Sequence, residues 1–337
     1  MILGKKFIHL KTGRNKIYIG DLITSFRLNN FSRQLKLLVV FLLLFAMNSQ
    51  SQTEPYFVKK YPDQLHKKRL YGVIGGQAVI YASSLTLLYQ AWYKDYPQSS
   101  FHWINDNNEW LQMDKIGHAT TSAYFGKFGY EMYRWAGVER KKAIWFGGSA
   151  GFVFLTVIEI LDGFSAEWGA SAGDLIANTA GTALFIGQQL GWDEQRFYLK
   201  WSYHPTEYPE IAQENGIDQL GTSELESILK DYNGQTYWLS GNIKSFLPKR
   251  SKFPGWLNVA VGYGGEGMLG ATSNPDDLSE YPRYRQYYLT MDVDLSKIKT
   301  RSHFLKFLLN GFNFVKIPFP ALEYNSEQGV VFHYLYF

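Results

Sequence analysis

Three pairs of polar residues sit at helical spacing inside otherwise apolar stretches: Asp114 with His118, Glu159 with Asp162, and Asp174 with Asn178. Residues three or four apart share one helix face. Carboxylates and a histidine among apolar neighbours are costly unless they meet one another or a ligand. Together with Lys115, the pairs are therefore expected to converge on one polar cluster. In such a cluster His118 is the natural general base, with Glu159 and Asp174 to orient it or share its proton; these three are the candidate catalytic residues. Asp114, Lys115, His118, Glu159, Asp162, Asp174 and Asn178 form the wider polar or ligand-binding set. A mixed nitrogen and oxygen set could also suit Zn²⁺ or Mn²⁺, but a lone histidine argues against a tight zinc site. No metal and no cofactor is expected.

Each pair also has a structural account. Asp114 could cap its helix, Asp174 could close a capping box begun by Ser171, and Asp162-Gly163 could be a helix C-terminal turn. His118 and Glu159 are harder to explain this way, although a purely structural His–carboxylate pair is the commoner case.

Four helices are expected to position these residues. They run over Tyr71–Tyr93, Asp114–Trp135, Ala143–Leu161 and Ser171–Leu190, with stops at Gly137, Gly163 and Gly191. The third has no charge before Glu159 and approaches transmembrane quality, while Gly147, Gly148, Ser149 and Gly151 permit close helix contact. A mean hydropathy of −0.22 is low for a polytopic membrane protein. Trp92, Trp103, Trp110, Trp135, Trp145 and Trp168 cluster near helix ends, as interfacial aromatics do. Membrane contact is narrowly favoured over a buried central helix.

After Trp192 the pattern changes. His204-Pro205 and Tyr208-Pro209 read as a linker, Ser223–Tyr232 as a short helix and Phe304–Asn310 as another. Alternation predicts strands over Trp256–Tyr263 and Tyr287–Leu295, and a hairpin from Ala321–Tyr324 and Val330–Phe337 around Asn325–Gly329. The terminal Tyr334-Leu335-Tyr336-Phe337 resembles the closing strand of an outer-membrane barrel, but about four visible strands are too few for one. The expected fold is mainly α: a membrane-associated bundle of about four apolar helices, followed by a smaller α+β region with a short antiparallel sheet. Two motifs fail their context. The G-x-S-x-G match at Gly147–Gly151 lies inside a helix, and the G-x-G-x-x-G match at Gly262–Gly267 has no helix after it.

The first 51 residues carry 8 of the 34 Lys and Arg and 1 of the 30 Asp and Glu, followed inward by an apolar run from Leu37 to Met47. This describes a signal peptide with a long basic n-region over residues 1–51. A helical domain over 52–200 and an α+β region over 201–337 are expected to follow. Without the leader, 26 basic and 29 acidic residues remain, so the basic balance belongs to the leader and nucleic acid is not an expected partner. There is no cysteine, hence no disulfide, thiolate metal site or lipid-modified cysteine in this chain.

Asp114-Lys115-Ile116-Gly117-His118, then Glu159, Asp162-Gly163-Phe164-Ser165, Ser171 to Asn178 and Gly181 resemble the YfiM-like family of periplasmic lipoproteins over roughly residues 110–195. The order is also similar to the VanZ-like family of small helical membrane proteins, although Glu159 to Ser165 replaces that family's Gln- and Arg-containing segment. The region after about residue 200 resembles extensions of such proteins in Gram-negative bacteria. The resemblance implies Asp114, Lys115, His118, Glu159, Asp174 and Asn178 as characteristic polar positions, and a place in the envelope more than an activity. The expected function is that of an exported, periplasmic, membrane-associated protein, non-catalytic, that binds a lipid or glycolipid or stabilises the envelope. The alternatives are an enzyme acting on envelope lipid or peptidoglycan precursors through His118, Glu159 and Asp174, and a scaffold meeting an envelope protein through its C-terminal sheet.

Overall fold

Small residues decide how closely the helices approach. The computed structural model describes residues 61–337 apart from 95, 207, 209–219 and 222–223, and the expected signal peptide lies outside them. Five helices come first: α1 (Lys67–Leu88, continued by a wider π-helical turn over Tyr89–Tyr93), α2 (Met113–Trp135), α3 (Arg140–Gly148), α4 (Ala150–Asp162) and α5 (Ala172–Trp192). Helix α2 is central and packs along α3, α4 and α5. A Cβ on Gly181 of α5 would lie 1.9 Å from the Ala119 carbonyl oxygen of α2, and one on Gly151 of α4 would lie 2.3 Å from that of Ser122. Only glycine fits either contact.

The single helix expected over Ala143–Leu161 is two, broken at Ser149 (φ −85°, ψ 0°). Arg140–Asp162 and Lys67–Leu88 are each long and apolar enough to cross a membrane by length and composition. The first is interrupted and packed between α2 and α5, which is the behaviour of a core segment. Helix α1 is different: Val73 is its only buried residue. Between the helices, β1 (Trp103–Ile104) pairs in parallel with β2 (Ala170–Ser171).

The mainly α bundle with a short sheet is corrected here. Six antiparallel strands form one meander in chain order: β3 (Phe197–Tyr203), β4 (Gln235–Asn242), β5 (Leu257–Glu266), β6 (Tyr284–Val293), β7 (Phe319–Asn325) and β8 (Gly329–Tyr336). Two short helices, α6 (Glu224–Lys230) and α7 (His303–Gly311), lie in the connections. Strands β3 and β4 escape a hydrophobic-pattern reading because, apart from Tyr198 and Trp238, their inward residues are polar. Lys200, Ser202, Thr236, Ser240 and Asn242 are all buried.

The sheet curls. Flat neighbours stand about 4.8 Å apart, so β4 and β8 would be separated by roughly 19 Å. Yet the Trp238 and Tyr336 rings are 5.9 Å apart, and Thr236 Oγ1 lies 3.2 Å from the Tyr336 hydroxyl. Val315 forms a parallel bridge with Trp201 on the far edge strand. Inside the curl Lys200 Nζ meets Asp292 Oδ2 at 2.8 Å, and the Ser240 hydroxyl donates to the same oxygen at 2.6 Å. Glu323 accepts from Gln286, Asn325 and His333.

The Gly181 contact is directly testable. Gly181→Ala should force α2 and α5 apart and cost on the order of 1–3 kcal/mol, lowering the melting temperature by several degrees. Gly187→Ala, on the same helix with nothing near its Cβ, should be neutral or stabilising. Equal melting temperatures for the two variants would contradict the packing described.

Candidate functional site

Helix α2 begins after an unusual backbone segment. Trp110, Leu111 and Gln112 all have left-handed φ values, of 47°, 49° and 65°. Each such residue costs about 1–2 kcal/mol outside glycine, so the segment needs holding. The Tyr263 hydroxyl donates to Leu111 O at 2.5 Å, Arg285 Nη2 donates to Gln112 Oε1 at 2.7 Å, and Trp110 N donates to Ala271 O at 2.7 Å. Strands β5 and β6 thus clamp the turn that aims Asp106 and the first residues of α2.

Lys115 is the centre of what they aim. Its Nζ lies 2.6 Å from Asp106 Oδ2, 2.8 Å from Asp174 Oδ1 and 3.2 Å from Asp114 Oδ2. Burial alone would lower the ammonium pKa, but these carboxylates hold it raised. Ser171 ties the group together. Its Oγ donates to Asp106 at 2.6 Å and accepts from Asp174 N at 3.1 Å, while its N–H donates to Glu159 Oε2 at 2.9 Å. The expected Ser171–Asp174 cap is formed, and the Asp174 carboxylate also serves the cluster.

His118 lies one turn further along α2. Its Nδ1 is 3.1 Å from Asn178 Oδ1, an oxygen that can only accept, so Nδ1 carries the proton. The other nitrogen faces Asp114 Oδ1 at 3.7 Å, and Glu159 Oε1 is 3.8 Å from Nδ1. Burial disfavours the imidazolium, but Asp114, Asp174 and Glu159 outweigh it and raise the His118 pKa. Burial also acts on the carboxyls. It lifts Glu159 and Asp174 to about 7 each and Asp162 to about 6, against opposition from His118. Asp114 is pushed up by burial too, but His118, Lys115 and the Tyr232 hydrogen bond bring it below its ordinary value.

Six of the seven expected residues therefore meet: Asp114, Lys115, His118, Glu159, Asp174 and Asn178. Asp162 is turned toward Tyr93, whose hydroxyl donates to it at 2.5 Å. Three participants carry no signal in the sequence. Asp106 lies in an irregular loop, Tyr93 ends α1's extension, and Tyr232 comes from the turn before β4, where its hydroxyl donates to Asp114 Oδ1 at 2.7 Å. Among the described residues, the buried donor Asn178 Nδ2 meets no acceptor.

Asp114, His118 and Asp174 offer one ligand atom each within 4.8 Å of one another, the spread of three ligands around a cation. The Lys115 ammonium already occupies both carboxylates, so the donor set fits a lysine better than a metal. The arrangement can store and move protons, and it can tie three helices to a sheet.

Residues 102–186, or 85 of 337, match a family model described as "Predicted periplasmic lipoprotein (DUF2279)". The matched segment contains every member of the cluster except Tyr93 and Tyr232, and its description is compatible with the YfiM-like resemblance. Nothing in the match points to VanZ-like proteins. No curated protein and no solved structure matches the chain.

Two outcomes follow from this geometry. Lys115→Met should leave three carboxylates facing one another and destabilise the fold by about 3–5 kcal/mol in a denaturant titration; a loss under 1 kcal/mol would mean the ion pairs are dispensable. Glu159, Asp162 and Asp174 have folded-state pKa values above their unfolded ones. The stability they contribute is complete below about pH 4 and lost as pH rises through 6 to 7. His118, also raised, loses its contribution in the same direction at higher pH, whereas Asp114 acts oppositely only in the acid range. The melting temperature should fall between pH 5 and pH 8, less steeply in Glu159→Gln. A flat wild-type profile would show that these carboxyls titrate normally.

Proposed function

We propose that the protein is an exported envelope protein that lies on a membrane and binds lipid, with the polar cluster acting as its internal tie. One observation carries this reading: the sheet has its polarity reversed. Lys200, Asp292 and Glu323 point inward and are buried beside the Trp238–Ala260–Tyr288 cluster, while Val261, Leu289, Leu322 and Phe332 point outward and are exposed. The strand register lines these up across all six strands. One row is Leu199, Leu239, Val261, Leu289, Leu322 and Phe332; the next is Trp201, Tyr237, Tyr263, Tyr287, Tyr324 and Val330. An aliphatic band beside an aromatic row is the exterior pattern of a sheet facing lipid.

The helices cover the Trp201–Tyr237–Tyr263 end of the aromatic row. Leu289, Leu322 and Phe332 remain 46–52 % exposed and Val330 72 %. Same-face residues along a strand are about 7 Å apart, so the two rows span roughly 7 Å along it. That is short of the ~25 Å apolar band of a membrane-spanning barrel, and it favours burial in one leaflet. The exposed residues of α1, among them Ile74, Val79, Ile80 and Leu87, add a second apolar surface. The family description supports a periplasmic place. Because these 337 residues contain no cysteine, attachment here would rest on the apolar surfaces and not on a thioether-linked lipid.

A second reading keeps the enzyme. Its support is that Glu159 and Asp174, raised to about 7, flank a histidine, the poise that acid–base catalysis requires. Among the described residues β8 pairs only with β7, which leaves an edge that an envelope partner could extend.

Separated membranes washed with alkaline carbonate test the main reading: the protein should stay with the membrane, and wholesale release would overturn it. In the same cells His118→Ala at wild-type abundance should behave as wild type. A null phenotype from that folded variant would favour the enzyme.

A further inference from the structure

We infer that the end of the sheet where β4 and β6 finish docks on anionic lipid headgroups. The inference rests on the membrane reading above and adds which lipid chemistry is met and by which residues. Two connections form this end, the chain between β4 and β5 and the chain from β6 through α7. They meet where Asp294 N donates to Trp256 O at 2.8 Å. The turn at Leu295–Lys297 packs on α7, and Leu295 N donates to Asn313 Oδ1 at 2.8 Å.

The acid Glu194, just before β3, pairs with Lys297 at 3.3 Å, and within the two connections charge is one-sided. Lys249, Arg250, Lys252, Lys299 and Arg301 are exposed. The single acid in the two connections, Asp294, is fully buried and spends Oδ1 on Ser296. Among the cations stand exposed aromatics: Phe246, and on or just after α7, Phe304, Phe307 and Phe312. Phe304 and Phe307 are about 70 % exposed while their helix neighbours Leu305 and Leu309 fill the core, so α7 shows apolar side chains on both faces.

A soluble polyanion would be met by the cations alone and gives no reason for the phenylalanines. A lipid surface uses both, since basic residues face anionic headgroups while aromatic rings enter the interface. The position agrees. The aliphatic band is bordered by the tyrosine row toward one end of the strands, and this tip closes the other end, beyond the Leu257–Val293 pair. A face buried in one leaflet needs a headgroup contact at its border, and this border carries the charge for it.

The absence of native cysteine makes a local probe clean. The full chain carrying Phe304→Cys, labelled with an environment-sensitive fluorophore, is mixed with phosphatidylcholine vesicles with and without phosphatidylglycerol. A second label at Glu327→Cys, in the β7–β8 turn at the opposite end of the strands, is the reference. Expected are vesicle flotation, a blue shift at position 304 that grows with phosphatidylglycerol and shrinks with salt, and little change at 327. Reversal of Lys249, Arg250 and Lys252 to Glu should weaken the anionic increment by at least roughly a hundredfold, taking about fivefold per basic residue. Flotation with the 304 label still in water, or an increment unchanged by the reversal, overturns the tip and leaves the membrane reading standing. No flotation with either vesicle overturns both. A shift with heparin but not with vesicles would assign the tip to a soluble polyanion and end the proposal.

Discussion

Lys115 places one ammonium within 3.2 Å of carboxylates from a loop and two helices, and the close approach of α2, α5 and the sheet depends on that compensation. Asp106, Asp114 and Asp174 cannot share so small a volume as anions without a cation among them. Once the ammonium is there, Ser171 can bind Asp106 and cap α5 with the same hydroxyl, and Glu159 can take the Ser171 N–H. Tyr232 then reaches Asp114 from the sheet side. The cluster is thus a joint between two kinds of secondary structure as much as a site.

The left-handed turn at Trp110–Gln112 shows the coupling from the other direction. Its backbone is unfavourable by itself, and side chains of β5 and β6 hold it. The sheet therefore sets the start of α2, and the start of α2 sets Asp114 and Lys115. Chemistry at His118 and lipid contact on the sheet would not be independent properties, because both rest on this turn.

The sheet carries the second constraint. A curl lined by Lys200, Asp292, Glu323 and their hydrogen-bonding neighbours is stable only if each polar group is answered inside. The network achieves this with Ser240, Asn258, Asn242 and Gln286. With polarity spent inward, apolar side chains are left for the exterior. A surface of that kind is a hazard in water and an advantage in lipid.

Much of the molecule was legible in the residues alone. The helix-spaced pairs pointed to a cluster, and Asp114, Lys115, His118, Glu159, Asp174 and Asn178 do meet. Alternation located β5 to β8, because outward apolar residues alternate with inward small or polar ones whichever face is the core. What alternation cannot say is which face is inside. The short antiparallel sheet expected from alternation is therefore six strands long, with β3 and β4 added and its faces exchanged. Asp162 turned away because a tyrosine distant in sequence offered it a hydroxyl. Asp106 and Tyr232 joined because a parallel strand pair and a sheet-side turn delivered them. Local spacing determined which side chains share a helix face; only the tertiary fold decided which charges compensate one another, since that depends on contacts up to 118 residues apart in the chain.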